Sequence, residues 1–185
     1  MRHWSLENIL VGRADRQTIS KFAKGRDRYI GVGLLASAAL LGLALSQSIV
    51  TVQSFHDLNG SYSLIDGMVA LFKSGQPAVA MLILVTTIVV PIIILSNAFE
   101  LWYKHELQSD KFPYKAQRLR RYGRLWYLVF GSVLIGVYLI QNSEIEAVIH
   151  APVYYLTVSL ALQKLAIARM EPLINAVQFI EDDLT

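Results

Sequence analysis

The sequence predicts an all-α, polytopic membrane protein. It has four transmembrane helices, cytoplasmic N and C termini, and a short amphipathic surface helix before the second span. Three observations predict it. Of the 185 residues, 54% are apolar, too many for an ordinary soluble domain and far from a disordered composition. Gly75 to Phe99 runs without a charged side chain, longer than the roughly 20 apolar residues a helix needs to cross about 30 Å of hydrocarbon. The connecting segments alternate between rich and poor in Lys and Arg.

Residues 1–28 form a basic segment with Arg2, Arg13, Arg16, Lys21, Lys24, Arg26 and Arg28. It has no early apolar run followed by a cleavage site, so it does not read as a signal peptide. Trp4, Leu6, Ile9, Leu10 and Val11 suit either a small interfacial helix or a solvated tail. A membrane domain over 29–168 follows, then a cytoplasmic tail over 169–185.

Tyr29 to Val50 is the first span, charge-free and rich in Leu, Ala and Gly. Ala38, Gly42 and Ser46 recur every fourth residue, and Gly33 with Ser37 repeats the spacing. Small residues four apart share a helix face and admit a close neighbour, so this face is expected to pack against a helix of this chain or of another. Thr51 to Tyr62 reads as a polar linker with Asn59-Gly60 as a turn signal.

Ser63 and Asp66 have capping-box spacing, with Asp where Glu is usual. Leu64, Ile65, Met68, Val69 and Phe72 then fall on one helical stripe. That helix is too short to span. Gly75 suits its C-cap and Pro77 the first turn of the next helix. Pro77 to Asn97 is the second span. Pro91 removes a backbone hydrogen bond and is expected to kink it.

Glu100 to Arg124 reads as a charged loop with Lys104, Lys111, Lys115, Arg118, Arg120, Arg121 and Arg124. Trp102 and Tyr103 on one side, and Tyr122, Trp126 and Tyr127 on the other, are expected in aromatic belts at the membrane surface. Leu125 to Ile140 is the third span. Gln141 to Ala151 is a short acidic loop. Pro152 to Ile167 is the fourth span, opened by proline and ending near Lys164, which can snorkel. Glu171 to Thr185 is the tail.

Orientation follows from the charges. Lys and Arg number seven before the first span, one between the first and second, seven between the second and third, none between the third and fourth, and two thereafter. Cytoplasmic segments carry the basic excess. The termini and the Glu100–Arg124 segment therefore face the cytoplasm, and the surface helix and acidic loop face the other side. Of the basic residues, Lys115, Arg118, Arg120, Arg121 and Arg124 either contact anionic lipid headgroups, at about 1 kcal/mol each, or serve orientation alone.

The chain lacks cysteine, which excludes disulfides, cysteine-bound metals and thiol nucleophiles. His3, His56, His105 and His150 share no helical ligand spacing. His56 with Asp57, and His150 near Glu144 and Glu146, fall on the non-cytoplasmic side, where a metal site or plain solvated loops are the two readings; the second is the commoner, and no metal is expected. No phosphate loop, dinucleotide fingerprint or nucleophile elbow is present. No enzymatic activity, no cofactor and no nucleic acid partner is expected.

The stretch SLIDGMVALFKSGQPAVAMLILVTTIVVPIIIL, Ser63 to Leu95, resembles the paraquat-inducible protein A family of bacterial inner-membrane proteins. The likeness lies in the amphipathic segment, the KSGQ turn, the long apolar span and the late proline, Pro91. Gly123-Arg124 before LWYLVF is similar to the family's GRW start, and Val153 to Leu156 to the opening of its last span. The resemblance covers about Tyr29 to Ile167, one four-helix module. Departures are the missing cysteine pairs, Ile94 where a lysine is common, and Val129 where an aspartate is common. The resemblance implies a multi-pass inner-membrane component of a lipid-trafficking assembly, with membrane lipids and proteins of the mammalian-cell-entry type as partners. The alternative is a non-catalytic accessory subunit of a larger membrane complex, respiratory or photosynthetic, since the intramembrane charges are gone and a small-residue packing face is kept.

Overall fold

The structure, a computed structural model, describes residues 17–55, 58–142 and 147–182. The Trp4–Val11 segment, His56 with Asp57, and Glu144 with Glu146 lie outside the described residues. The fold is mostly helical. After a short helix α1 (Ile19–Phe22) and a 3-10 turn (Gly25–Tyr29) comes α2 (Ile30–Ser46). Strands β1 (Ser48–Phe55) and β2 (Leu58–Ser63) precede the surface helix α3 (Leu64–Lys73). Then follow α4 (Pro77–Ile83), a π-helical stretch (Leu84–Val89) and α5 (Val90–Tyr103), continuous with one another. The chain continues as α6 (Lys111–Arg124), α7 (Trp126–Asn142), β3 (Ala147–Ile149) and α8 (Pro152–Asp182). Among the described residues, two helices are long and apolar enough to cross a membrane, Gly25–Ser46 of 22 residues and Pro77–Tyr103 of 27.

The chain divides into two compact units. The first comprises the described parts of Met1–Ala36, Ile93–Arg124 and Leu162–Thr185; the second comprises those of Ser37–Ile92 and Leu125–Ala161. In the first unit Leu34, Ile94, Leu101, Trp102, Phe112, Leu119, Met170 and Ile174 are buried. Gly31 lies against the Trp102 and Tyr103 side chains, and a Cβ there would stand 2.8 Å from Trp102 Nε1. A larger residue there would have to displace one of these two side chains. The expected belt position of Trp102 is corrected, since its side chain is 1% exposed.

In the second unit Leu41, Ala44, Val129, Leu156 and Leu160 are buried together with Ser37, Thr86, Thr87 and Ser159. Every buried polar group needs a partner, and these have them. Ser37 Oγ lies 2.9 Å from Ser159 Oγ and donates to the Ser159 carbonyl at 3.0 Å. Ser159 Oγ donates to the Ser37 carbonyl at 2.8 Å. The Trp126 indole donates to the Leu160 carbonyl at 2.7 Å and stacks on Phe130.

Pro91 acts on the turn before it. A proline lacks the N–H and its ring crowds the carbonyl four residues back, here Thr87. The helix widens to π geometry over Leu84–Val89. A π turn withdraws the usual i+4 partner from the carbonyls it spans. Thr86 Oγ1 donates to the Leu82 carbonyl at 2.8 Å, and Thr87 Oγ1 to that of Ile83 at 2.6 Å. Two threonine hydroxyls thus supply donors to carbonyls at the widened turn.

The all-α expectation is corrected by a small antiparallel sheet of order β2-β1-β3. Val50, Thr51 and Val52 pair with Tyr62, Ser61 and Gly60 on one side and with Ile149, Val148 and Ala147 on the other. The first span therefore ends at Ser46, not Val50. The Ile49–Val52 run is β-branched throughout and favours a pleated, half-buried surface over a helix end. Gly60 stands in β2 at φ +129°, a region L side chains rarely adopt.

Two further segments, one expected as a loop and one as a tail, are helical. Lys111–Arg124 is the 14-residue α6. The tail continues α8 through Pro172 to Asp182, with Met170 and Ile174 buried within the first unit.

Replacing Ser159 by alanine is expected to lower stability by about 1 kcal/mol, the worth of an interhelical hydroxyl pair. Ser46→Ala, which removes only an exposed bond to Leu43, should stay within about 0.5 kcal/mol. Reversible unfolding of the detergent-solubilised protein reads both; equal losses would contradict the assignment.

Candidate functional site

The densest charge in the chain is carried by α6. Its sequence, KFPYKAQRLRRYGR, places Phe112, Ala116, Leu119 and Gly123 on one face, and all four are buried. A Cβ on Gly123 would meet Ile167 at 3.4 Å, so the helix is seated closely. The opposite face is basic and aromatic. Tyr114, Gln117, Arg118, Arg121 and Tyr122 line a shallow depression of about 390 Å³. The Arg118 guanidinium lies 5.4 Å from the centre of the Tyr122 ring, within cation–π range.

The five residues expected at lipid headgroups divide by surroundings. Arg118 and Arg121 line the depression, and Arg124 is exposed at the helix end. Lys115 and Arg120 turn inward. Lys115 Nζ binds Glu100 Oε2 at 2.9 Å, and Arg120 donates to the Asn175 side-chain carbonyl. These two tie α6 to α5 and α8. Neither pairing leaves a local mark in the sequence, because each joins residues far apart in the chain.

His105 follows α5 beside this pair. Its Nε2 lies 3.7 Å from Glu100 Oε2, beyond hydrogen-bond range, and its side chain is 16% exposed. Burial, then the nearby Lys115 charge, holds its pKa below the ordinary 6.5, against the pull of Glu100. The imidazole is therefore neutral at neutral pH.

The small-residue set also divides. Ser37 is buried against Ser159. Gly33 and Ala38 are half-buried, while Gly42 and Ser46 are exposed. A Cβ on Gly33 or Gly42 would meet no atom within 4 Å. The buried stripe of α2 is instead Leu34, Ser37, Leu41 and Ala44.

The surface helix has its expected cap. Ser63 Oγ accepts from the Asp66 backbone N–H at 3.2 Å and donates to Asp66 Oδ2 at 2.6 Å. Gly75 takes φ +81° in the turn, and Pro77 opens α4. Met68 is buried, whereas Ile65, Val69 and Phe72 are 49%, 47% and 45% exposed. Residues spaced 65, 69, 72 share one face, so α3 presents an apolar stripe outward.

His150 Nε2 lies 2.8 Å from Thr51 Oγ1, and its backbone N–H bonds to the Ile49 carbonyl. It belongs to the sheet edge. No group of three or more potential metal ligands occurs among the described residues.

The family model for paraquat-inducible protein A matches residues 31–180. No curated protein and no solved structure matches the chain.

The depressed His105 value fixes a pH response. The unfolded chain binds the proton more readily than the folded one, so this contribution is complete above about pH 6.5 and is lost as pH falls through the lower folded value. The melting temperature should fall on acidification across that range. His105→Gln should flatten the fall, and an unchanged slope would contradict the burial assigned to this ring.

Proposed function

We propose, from the premise that this chain belongs to the paraquat-inducible protein A family, that it serves as the inner-membrane component of a lipid-trafficking assembly. The chain is a membrane protein of the paraquat-inducible type. In this reading it is multi-pass, with four spans and cytoplasmic termini, and it is not an enzyme. Helices α7 and α8 support the further two spans. They expose Leu128, Leu134, Ile135, Val158 and Leu165, side chains that belong in hydrocarbon or an interface rather than water. Lys and Arg excess then puts α6 on the cytoplasmic side.

The observation that carries the reading is α3 and its turn into α4. A capped, ten-residue amphipathic helix ends at Gly75 and leads directly into an apolar helix widened before Pro91. The outward stripe of Ile65, Val69 and Phe72 offers apolar contact at headgroup depth. A lipid leaving the bilayer can remain in contact with this stripe while its headgroup stays wet. Partners of the mammalian-cell-entry type, which the family implies, would receive it there.

The second reading is a non-catalytic accessory subunit of a respiratory or photosynthetic complex. It is favoured by the open face at Gly42, which none of the described residues fills. Purification in mild detergent separates the two. A mammalian-cell-entry partner supports the first, and a stoichiometric cofactor-bearing partner the second. Gly42→Leu should leave the isolated protein as stable as before. It should lower the yield of any complex that uses this face.

For the first reading the test is lipid transfer from bilayers containing the protein and its partner. Val69→Asp, which puts a charge on the outward stripe without touching Met68, should reduce transfer about tenfold with unchanged folding. Transfer that does not depend on this protein removes the reading.

A further inference from the structure

The first unit holds a second cleft, of about 220 Å³, between the start of the first candidate span and α8. Arg26, Asp27 and Arg169 line it, and its apolar lining includes Gly33, Leu165 and Ala166. Neither arginine is drawn into an ion pair among the described residues, and both are exposed. Two guanidinium groups and one carboxylate give the lining a net charge of +1. The apolar part continues outward, since Leu165 is 61% exposed. Gly33 keeps the cleft open: a Cβ on it would meet nothing within 4 Å, so a larger side chain would extend into free space.

Charge at one end and an apolar groove at the other match one class of molecule. We propose that this cleft binds a single anionic phospholipid, its phosphate held by Arg26 and Arg169 and one acyl chain lying across Gly33 beside Leu165 and Ala166. Arginine suits phosphate because its planar fork donates two parallel hydrogen bonds. The net charge of the lining selects a headgroup carrying one negative charge over a zwitterionic one. Asp27 opposes a second anion, which limits the site to one headgroup. The assignment rests on the chain sitting in a bilayer with its basic side at the cytoplasmic leaflet, but not on lipid transfer as such. The cleft shares no lining residue with the α6 depression.

The experiment reads retained lipid by native mass spectrometry after release of the full chain from nanodiscs of equal phosphatidylglycerol and phosphatidylethanolamine. The unaltered chain should retain one phosphatidylglycerol. Gly33→Leu should reduce retention of either lipid by about tenfold. Arg26→Gln with Arg169→Gln should abolish the preference for phosphatidylglycerol. Lys73→Gln with Lys111→Gln removes equal charge at two exposed positions outside the cleft and should change nothing. Melting temperatures identify any variant that misfolds. The arginine pair is exposed, so it decides the outcome even where Gly33→Leu is unstable. Equal retention of the two lipids by the unaltered chain overturns the proposal, as does an equal loss in the Lys73/Lys111 variant. Retention with no transfer activity keeps this site and removes the trafficking reading; transfer without retention does the reverse.

Discussion

Hydrocarbon offers no hydrogen bonds, and that constraint governs what this chain can do with its polar groups. The long helix from Pro77 to Tyr103 shows the consequence most plainly. Pro91 cannot donate, and its ring displaces the carbonyl it should have approached. The helix responds by widening over one turn instead of breaking. Thr86 and Thr87 then turn their hydroxyls to the carbonyls of Leu82 and Ile83. The two serines of the second unit obey the same requirement, each bonding to the other's backbone carbonyl. Trp126 does so through its indole N–H. In each case a polar group inside an apolar unit carries a donor or acceptor matched to it.

The charged residues follow a different rule. Along α6 the basic residues are numerous, yet the helix is seated by Phe112, Ala116, Leu119 and Gly123. The Lys115–Glu100 pair is partly exposed, with the carboxylate side chain 40% accessible, and pairs of that kind contribute little to stability. Their value lies in register. They fix which face of α6 turns to α5 and α8, and so which arginines remain outward. The outward set, Arg118 and Arg121 beside Tyr114 and Tyr122, has the composition of a surface that meets anionic headgroups.

Much of this was legible in the sequence, for reasons that can be named. The two long apolar runs, the Ser63 cap, the Gly75 turn and Pro77 at a helix start are local features, written in neighbouring residues. The family resemblance, resting on Ser63 to Leu95, was legible for the same reason, and the match over residues 31–180 shows the family. The sheet was harder to see. Its third strand is three residues long, and its pairing partner lies about a hundred residues earlier, so neither segment carries a signal alone. Helix α6 was hidden by its charge: seven polar or basic side chains obscure four apolar ones, although the 112, 116, 119, 123 spacing is helical. The small-residue pattern on α2 did contain Ser37, a residue that packs. Its phase, however, pointed to Gly42 and Ser46, which are exposed among the described residues. Contacts that join distant residues, such as Arg120 with Asn175 or the cleft shared by Arg26 and Arg169, leave no mark on a single sequence.

The central claim is that the apolar helices cross a bilayer with the α6 side in the cytoplasm and the α3 side opposite. The absence of cysteine makes this directly measurable. Single cysteines at Ser74, in the exposed turn after α3, and at Gln117, on the exposed face of α6, would be treated in intact cells with a membrane-impermeant maleimide once the outer barrier is opened. Ser74→Cys should be labelled at once and Gln117→Cys only after lysis. Labelling of Gln117→Cys in intact cells, or of neither residue until lysis, would contradict the threading on which the account stands.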